Sequence, residues 1–559
     1  MMSTFSHVEI GCASLSLALG ALHVGGPLSR DEHTLALLAR DLHVTDATLT
    51  EIRQAILAGE DPFADILSKA RDSSQRRRRG AFYTSRSISD AMVDWLLRQQ
   101  VERVVDAGSG TGRFATSVAR ADPSMNVVAI DTDPVASLAC RAALNVVGAR
   151  RASVQNRDYC RLRLPEFRGR TGYIGNPPYV RQREIPHWSR IWSGVAAKHF
   201  GHSAAGAGLH VHFFLATALR ANPGDMGCFL TSAEWLDTRY GSIVRDLLSH
   251  RLGIRSLDLF DPRTEIFPAV LSTAVITCFE VGSVNENVRV RHLHKPTIDH
   301  PGCGSPMPIT SLQSASRWSP LVRPIRNGTT DTAPEVRFGD IVHIHRGVAT
   351  GANAFFVMST DTARRRGLSR WTLPVLNRGA AVKSDQPVVR AGEGTQVLLV
   401  VPPNVHRSLH PELDSYLKLG ELGNGSAPAI SERYLLRTRN PWWSVRPGQI
   451  PPIVATYMSR NTPRFAVNQD GLIPLNIVLG VFPPVDLDDR ELLALVNLLN
   501  SLSDSFRGGG RTYFGGLEKF EPSDMLALPI SVPDQLHHLI TMLREARIAE
   551  LTSRTSPSR

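Results

Sequence analysis

Val104-Val105-Asp106-Ala107-Gly108-Ser109-Gly110-Thr111-Gly112-Arg113-Phe114 is the stretch on which the fold turns. An apolar run ends in an acid, three glycines alternate with small polar residues, and a helical pattern opens at Arg113. The order is strand, Gly-rich turn, helix. Glycines let the backbone approach a ligand where any Cβ would clash. The spacing G-x-G-x-G departs from the G-x-G-x-x-G dinucleotide fingerprint, and the Gly-Lys-Ser/Thr ending of a phosphate loop is missing. A turn this tight suits an uncharged nucleoside attached to an amino acid. The next apolar run, Val127–Ile130, ends at Asp131, nineteen residues past Gly112. A carboxylate there can accept hydrogen bonds from both ribose hydroxyls.

Outward from this unit, strands and helices alternate from Gly80 to about Gly282. Strands are expected over Val101–Val105, Asn126–Ile130, Tyr173–Gly175, Gly227–Thr231, Ile254–Leu259 and Thr273–Glu280. Helices are expected over Arg113–Ala121, Pro134–Val147, His210–Ala221 and Gly241–His250. That order predicts an α/β fold with a doubly wound, mostly parallel sheet. Residues 1–75 read as a helical extension, with a capping-box pattern at Ser29–Glu32. Residues 76–290 read as the domain built on this sheet, 291–335 as a Pro/Ser/Thr-rich linker, and 336–559 as a second, mixed α/β domain. The run Arg76–Arg79 is either a solvated linker or a phosphate contact.

Within the sheet domain, Tyr173-Ile174-Gly175 leads into Asn176-Pro177-Pro178-Tyr179. Two prolines stiffen the loop and remove two N–H groups. Its acceptors are the Asn176 side-chain oxygen and the loop carbonyls, a pair suited to holding a planar exocyclic amine. Tyr179 offers a flat face for a base. Asn-Pro by itself is also a surface-turn signal.

The 559 residues carry a net charge of +11, and only six of the 63 basic residues are Lys. Arg matches phosphate and guanine edges with a bidentate fork, so the balance favours a nucleic-acid partner; a GC-rich genome would give the same bias. The six cysteines are scattered without a C-x-x-C pair, which argues against a zinc site and for a reducing cytoplasm. No apolar run reaches the ~18 residues of a membrane span.

The Gly-rich loop, the acid after the second strand, Asp158 after the third and Asn-Pro-Pro-Tyr after the fourth together resemble the class I S-adenosylmethionine-dependent methyltransferases. More narrowly they resemble the N6-adenine DNA methyltransferases. A Gly80–Ser85 element (Gly-Ala-Phe-Tyr-Thr-Ser) precedes the loop, which gives the γ order of TaqI-type modification enzymes. The helical extension is similar to that of XamI-type modification methylases. Looser similarity continues at Arg346–Asn353 and Tyr513–Pro522.

The resemblance implies S-adenosyl-L-methionine as cofactor and double-stranded DNA as partner, in a bacterial cytoplasm, with no metal and no membrane. It implies cofactor contacts from Tyr83, Thr84, Asp106, Gly108, Gly110, Gly112, Asp131, Asp158 and Phe213. Phe214 is the alternative to Phe213, and spacing from Pro223-Gly224 favours Phe213. Asn176, Pro177, Pro178 and Tyr179 are the implied catalytic loop, with Tyr179 and Phe279 on the substrate base. A strand residue pointing into the core is the equal alternative for Phe279. Motif X usually reads Thr-Pro-Pro where this chain has Thr84-Ser85-Arg86. The second domain is then the target-recognition domain. Arg346, Arg460, Arg507 and Arg511 are plausible DNA anchors, but each taken singly reads better as a solvated surface arginine.

Two other functions fit parts of this pattern. Protein glutamine or RNA N-methyltransferases share Asn-Pro-Pro-Tyr but are usually shorter. An inert DNA-binding restriction-complex subunit would keep the fold and lose the motifs, which here are intact. No Asp…Glu-x-Lys nuclease constellation stands out, so a separately encoded restriction endonuclease is expected if one exists.

Overall fold

The chain divides into two compact units, Met1–Pro324 and Ile325–Arg559. The computed structural model describes residues 5–71, 84–180, 182–262, 264, 266, 273–322, 336–383, 385–423, 429–460, 462–506, 510–513 and 517–555. Tyr83, the Arg76–Arg79 run, Arg507 and 514–516 lie outside these residues.

Among the described residues, four helices open the first unit: α1 (His7–Ala18), α2 (Arg30–Ala39), α3 (Asp46–Leu57) and α4 (Pro62–Ala70). Serine, threonine or aspartate side chains cap all four N-termini, with full capping boxes at Ser6/Glu9 and Ser29/Glu32.

The sheet that follows has nine strands: β1 (Arg103–Ala107), β2 (Asn126–Asp131), β3 (Arg151–Asn156), β4 (Thr171–Gly175), β5 (Met226–Ser232), β6 (Ile254–Phe260), β7 (Ala274–Glu280), β8 (Asn287–Leu293) and β9 (Ser305–Pro308). Their order is β3-β2-β1-β4-β5-β7-β6-β8-β9. β1 to β5 are mutually parallel, and β7 runs antiparallel between β5 and β6. Every residue of β1, β4 and β5 is buried, as expected of strands covered on both faces. Successive residues serve opposite faces. Val104 packs with α5 (Arg86–Leu97), α6 (Arg113–Ala121) and α7 (Pro134–Val146); Val105 packs with α8 (His187–His199), α9 (Leu209–Arg220) and α10 (Ser242–His250). The strand order reverses between β1 and β4, the topological switch point at which open α/β sheets bind ligands.

Helix α7 is apolar nearly all round because both its faces are covered. One faces the sheet; the other packs Val135, Leu138, Ala139 and Ala142 against Leu35, Phe63 and Leu67 of the N-terminal helices. Arg141 of α7 is 1% exposed and pairs with Glu32, itself 0% exposed, at 3.0 Å. Its remaining guanidinium hydrogens go to the carbonyls of Val24, Gly25, Gly26, Pro27 and Val154. Gly25 in turn bridges to Ser153 on the free edge of β3, where Val154 N donates to Gly25 O at 2.9 Å. The helical extension is therefore bound into the sheet domain.

Most of the segment expected as a linker is also part of this unit. β9 pairs with β8, and Leu312, Trp318 and Val322 are buried in its core. The Pro/Ser/Thr composition hides three well-spaced apolar anchors.

The second unit is built on sheets of five, four and three strands. In the five-stranded sheet, His343–Arg346 pairs with Val478–Phe482, which continues to Ile453–Thr456. The helix Asp489–Ser501 packs Leu492, Leu495, Val496 and Leu499 into the same core as Phe338, Phe465 and Phe506. Arg346 is paired with Glu521 and lies 5.2 Å from the ring centre of Tyr457. No described helix is long and apolar enough to cross a membrane.

Candidate cofactor and catalytic site

At the C-terminal ends of β1, β2 and β4 lies a cavity of about 540 Å³, in the size range of small-molecule and cofactor sites. Gly108, Gly110, Asp131, Asp158, Asn176 and Phe213 are among the residues that line it. Sequence positions more than one hundred apart converge here because β1 and β4 are neighbours. Gly175, the last residue of β4, makes the approach possible: a Cβ there would lie 2.3 Å from the Ala107 carbonyl oxygen.

The loop is held mainly by Asp131. One carboxylate oxygen accepts from Gly110 N at 2.8 Å, the other from Asp133 N at 2.8 Å. Each oxygen keeps lone-pair capacity toward the cavity. Burial, then the neighbouring Asp133, raises the Asp131 pKa to about 6. Asp158 accepts from Cys160 N at 2.7 Å, and burial raises its pKa. At Gly110 a Cβ would meet nothing within 4 Å, so the backbone is bare to whatever fills the cavity.

Two residues expected to line the cofactor stand behind the loop. Asp106 is fully buried, accepts from Ala115 N at 3.0 Å and so caps the first turn of α6. With one oxygen lacking a partner among the described residues, burial pushes its pKa up to about 8. Gly112 (φ +97°) packs on Cys140, whose Sγ a Cβ would approach to 2.7 Å. Both shape the turn, and neither lines the cavity.

Phe213 forms a cavity wall beside Gly108 and stacks on Tyr159, with ring centres 5.1 Å apart and planes at 21°. Phe214 faces the opposite way, into the core with Phe229, Trp235 and Phe279. Phe279 is not at the site. It is 0% exposed, and its ring occupies the space beside Gly227 of the adjacent strand, where a Cβ would come within 1.9 Å of it. The expectation of a base contact from Phe279 is corrected: the ring fills the space that the missing Gly227 side chain leaves and packs with Phe214 and Phe229 in the core.

In the Asn176–Tyr179 loop, Asn176 Nδ2 donates to Thr84 Oγ1 at 3.2 Å, and Thr84 is buried. Pro178 lines the cavity. Tyr179 packs against the core cluster on the α5 face and is absent from the cavity lining; burial drives its hydroxyl pKa up.

Sequence reasoning missed the contribution of the N-terminal helices. Thr111 Oγ1 donates to Asp61 Oδ2 at 2.7 Å, and Arg113 donates to the Gly59 carbonyl at 2.9 Å. Arg71 reaches the cavity wall, held by Asp133 at 2.7 Å and Glu9 at 3.1 Å. Ser29 donates to Asn156, which donates to the Asp131 carbonyl. No local signal marks these pairs.

A bare glycine turn, a carboxylate at the next strand end, a second acid and an aromatic wall fit a nucleoside carrying an amino-acid tail. The strand order with β7 inserted antiparallel and this cradle define a class I S-adenosylmethionine-dependent methyltransferase, and S-adenosylmethionine is its methyl donor. Family models agree. The Eco57I restriction-modification methylase model matches residues 165–267, and the C-terminal domain of Type II methyltransferase M.Eco57I matches residues 327–556. The chain is 36% identical over 468 residues to Type II methyltransferase M.XamI of Xanthomonas campestris pv. amaranthicola, covering 82% of this chain and 86% of that protein. It is 21% identical over 499 residues to M.AccI of Acinetobacter calcoaceticus, with the same coverage. The solved structure of the Type IIL restriction-modification enzyme MmeI in complex with DNA shares the fold, with a TM-score of 0.59 at 12% identity over 99% of this chain and 89% of that one. The chain belongs to the Type II restriction-modification methyltransferases.

Proposed function

We propose that this methyltransferase modifies the N6 amine of one adenine within a short duplex DNA site, in the bacterial cytoplasm, alongside a separately encoded endonuclease. The observation that carries the reading is the placing of Asn176 and Pro178, from the Asn176–Tyr179 loop, at the cavity wall, with Asn176 anchored through Nδ2 on Thr84. Anchoring the donor end of the amide leaves its oxygen as the acceptor end.

The N6 lone pair of adenine is delocalised into the ring, so the amine is a poor nucleophile. The Asn176 oxygen and the Pro177 carbonyl each accept one of its N–H groups. That favours a pyramidal nitrogen with its lone pair turned out of the ring. Bound S-adenosylmethionine supplies an electrophilic methyl group on its sulfonium. The chain's part is orientation and electrostatic preorganisation. The methylated amine sheds its proton readily afterwards, so no general base is required before attack.

Inside a duplex the amine is paired, so the base must leave the stack at a cost of a few kcal/mol. The stacking role read for Tyr179 from the sequence is not assigned, because its ring packs on the α5-face core and does not line the cavity. Asp131 takes the cofactor ribose, Asp158 and Phe213 its adenine, and Thr84 with Tyr83 its methionine end. Residues 336–559 are assigned to target recognition, by base-edge contacts with phosphate anchoring.

The test is per-base methylation mapping of DNA from cells that express the chain, with Asn176→Ala as control. N6-methyladenine at one short motif, lost in the variant, is expected. Unmethylated adenines with wild-type protein, or a mark unchanged by the substitution, would sink the reading. Methyl incorporation into a protein or RNA substrate would favour the shorter-enzyme alternatives.

A further inference from the structure

A second cavity, of about 260 Å³, opens between α8 and α9 and shares no lining residue with the first. Gln182, Arg190, Ser193, Lys198, His202, Ser203 and His212 supply its polar lining. Each can donate a hydrogen bond, and none is a carboxylate. Arg190, Gly194 and Lys198 stand at i, i+4 and i+8 on α8, so two cations flank a glycine on one helical stripe. Gly194 is not required by packing, since a Cβ there would meet nothing within 4 Å. It costs helix stability and leaves backbone open between the two charges.

Three further observations point to an anionic occupant. Arg190 and Lys198 are exposed, and neither has a carboxylate partner among the described residues. Asp246, the acid paired with His202 of the lining at 3.0 Å, is also engaged by His250 at 3.1 Å. Ser193 is 1% exposed, and its buried hydroxyl has no hydrogen-bond partner among the described residues. A buried hydroxyl in that state calls for a ligand or a solvent partner.

The cavity is also wired to the catalytic one. Ser189 lines the first cavity, His212 lines the second, and Ser189 Oγ lies 3.3 Å from His212 Nδ1. Burial holds the His212 pKa down at about 4, so the ring is neutral at working pH. The neutral ring has one N–H, and the tautomer with that proton on Nε2, its Nδ1 accepting from Ser189, makes Nε2 a donor to the cavity.

We propose that this second cavity is an oxyanion site that seats a backbone phosphate of the substrate, beside the nucleotide whose base enters the catalytic cavity. The assignment rests on the DNA reading above. Arg190 and Lys198 supply the charge, and Ser193 and His212 the short-range donors. A phosphate held there fixes the strand relative to the Asn176 loop, because α8 follows that loop by only a few residues.

The test compares wild-type chain with the Arg190→Ala/Lys198→Ala double variant and with Ser193→Val. Duplex DNA binding is measured across a salt series, and cofactor binding by calorimetry. In a separate arm, inorganic phosphate is titrated against chloride at equal ionic strength while the thermal midpoint is followed. The double variant is expected to bind duplex about tenfold more weakly at low salt, with a salt slope shallower by about 1–2. Ser193→Val should weaken duplex binding with the slope unchanged, and cofactor affinity should hold in both. Phosphate should stabilise wild type and leave the double variant unmoved.

A double variant with wild-type duplex affinity and slope overturns the proposal, even if free phosphate stabilises the protein. If wild type itself fails to bind duplex, the DNA reading has failed. The phosphate arm then decides alone: stabilisation confined to wild type supports an oxyanion site, and equal stabilisation of both overturns it.

Discussion

Asn176 Nδ2 and Thr84 Oγ1 are 3.2 Å apart, and this bond joins the loop after β4 to the segment that enters α5, ninety-two residues earlier. Thr84→Val keeps the shape and removes the acceptor. The expected result is a fall in kcat of about 10–100-fold, the scale on which small misplacements act. Thr84→Ser should restore most of it. A Thr84→Val enzyme with unchanged kcat would remove Thr84 from the account.

Asp106 and Asp131 give the fold a pH signature. Their pKa values are raised from 3.8 to about 8 and about 6, in both cases first by burial. Each stays protonated in the folded chain at pH values where the unfolded chain has released its proton. Stability contributed by these groups is therefore full below about pH 4 and falls as pH rises, until about 6 for Asp131 and about 8 for Asp106. Asp106→Asn keeps the acceptor for Ala115 N and cannot ionise. Its thermal midpoint should be flatter than that of wild type between pH 6 and pH 8. An identical decline in both proteins would show that Asp106 is ionised throughout.

Much of this was legible because it is local. The turn from Asp106 to Gly112, the acid at Asp131 and the stiff loop at Asn176 each lie within a few residues of the strand end that positions them. Helix α6 begins and ends where its pattern predicts, at Arg113 and Ala121. The illegible parts are pairings across long separations. Asp61 meets Thr111 and Ser29 meets Asn156 through polar residues that look like ordinary caps. Phe279 shows the limit of alternation as a guide: a strand pattern gives two faces, and only packing against Gly227 tells which one carries the ring.

Asp61 does two jobs. It caps α4 through Ala64 N at 3.0 Å and accepts from Thr111 at 2.7 Å. Asp61→Ala should cost about 1–2 kcal/mol of stability, read by denaturant unfolding. It should also weaken cofactor binding several-fold by calorimetry. Asp61→Asn, which can still cap, should lie close to wild type. Unaltered cofactor affinity in Asp61→Ala would mean the cradle does not depend on the extension.

The Glu32–Arg141 pair predicts an asymmetric loss. Arg141→Ala strands a buried carboxylate and several carbonyls, and should destabilise by about 3–5 kcal/mol. Adding Glu32→Gln removes the stranded charge and should recover part of that loss. A double variant no better than the single would assign the cost to the carbonyls alone.

Phe279→Ala should destabilise by about 3–5 kcal/mol as a core truncation, with kcat/KM per folded molecule within about twofold of wild type. The milder Phe279→Leu guards against complete unfolding. A stable Phe279→Leu protein with greatly reduced kcat/KM would return this ring to the substrate.

The bridge from Gly25 to Ser153 means that the outermost strand at this end of the sheet is already occupied by the chain's own backbone. An open strand edge is a template to which any extended peptide can add. Here Arg141 acts as the latch on a guard segment: it grips four consecutive carbonyls of residues 24–27 and holds them against β3. Releasing that latch would convert a solitary protein surface into an adhesive one. Self-association would then accompany loss of the arginine even in molecules whose methyl-transfer machinery remained intact.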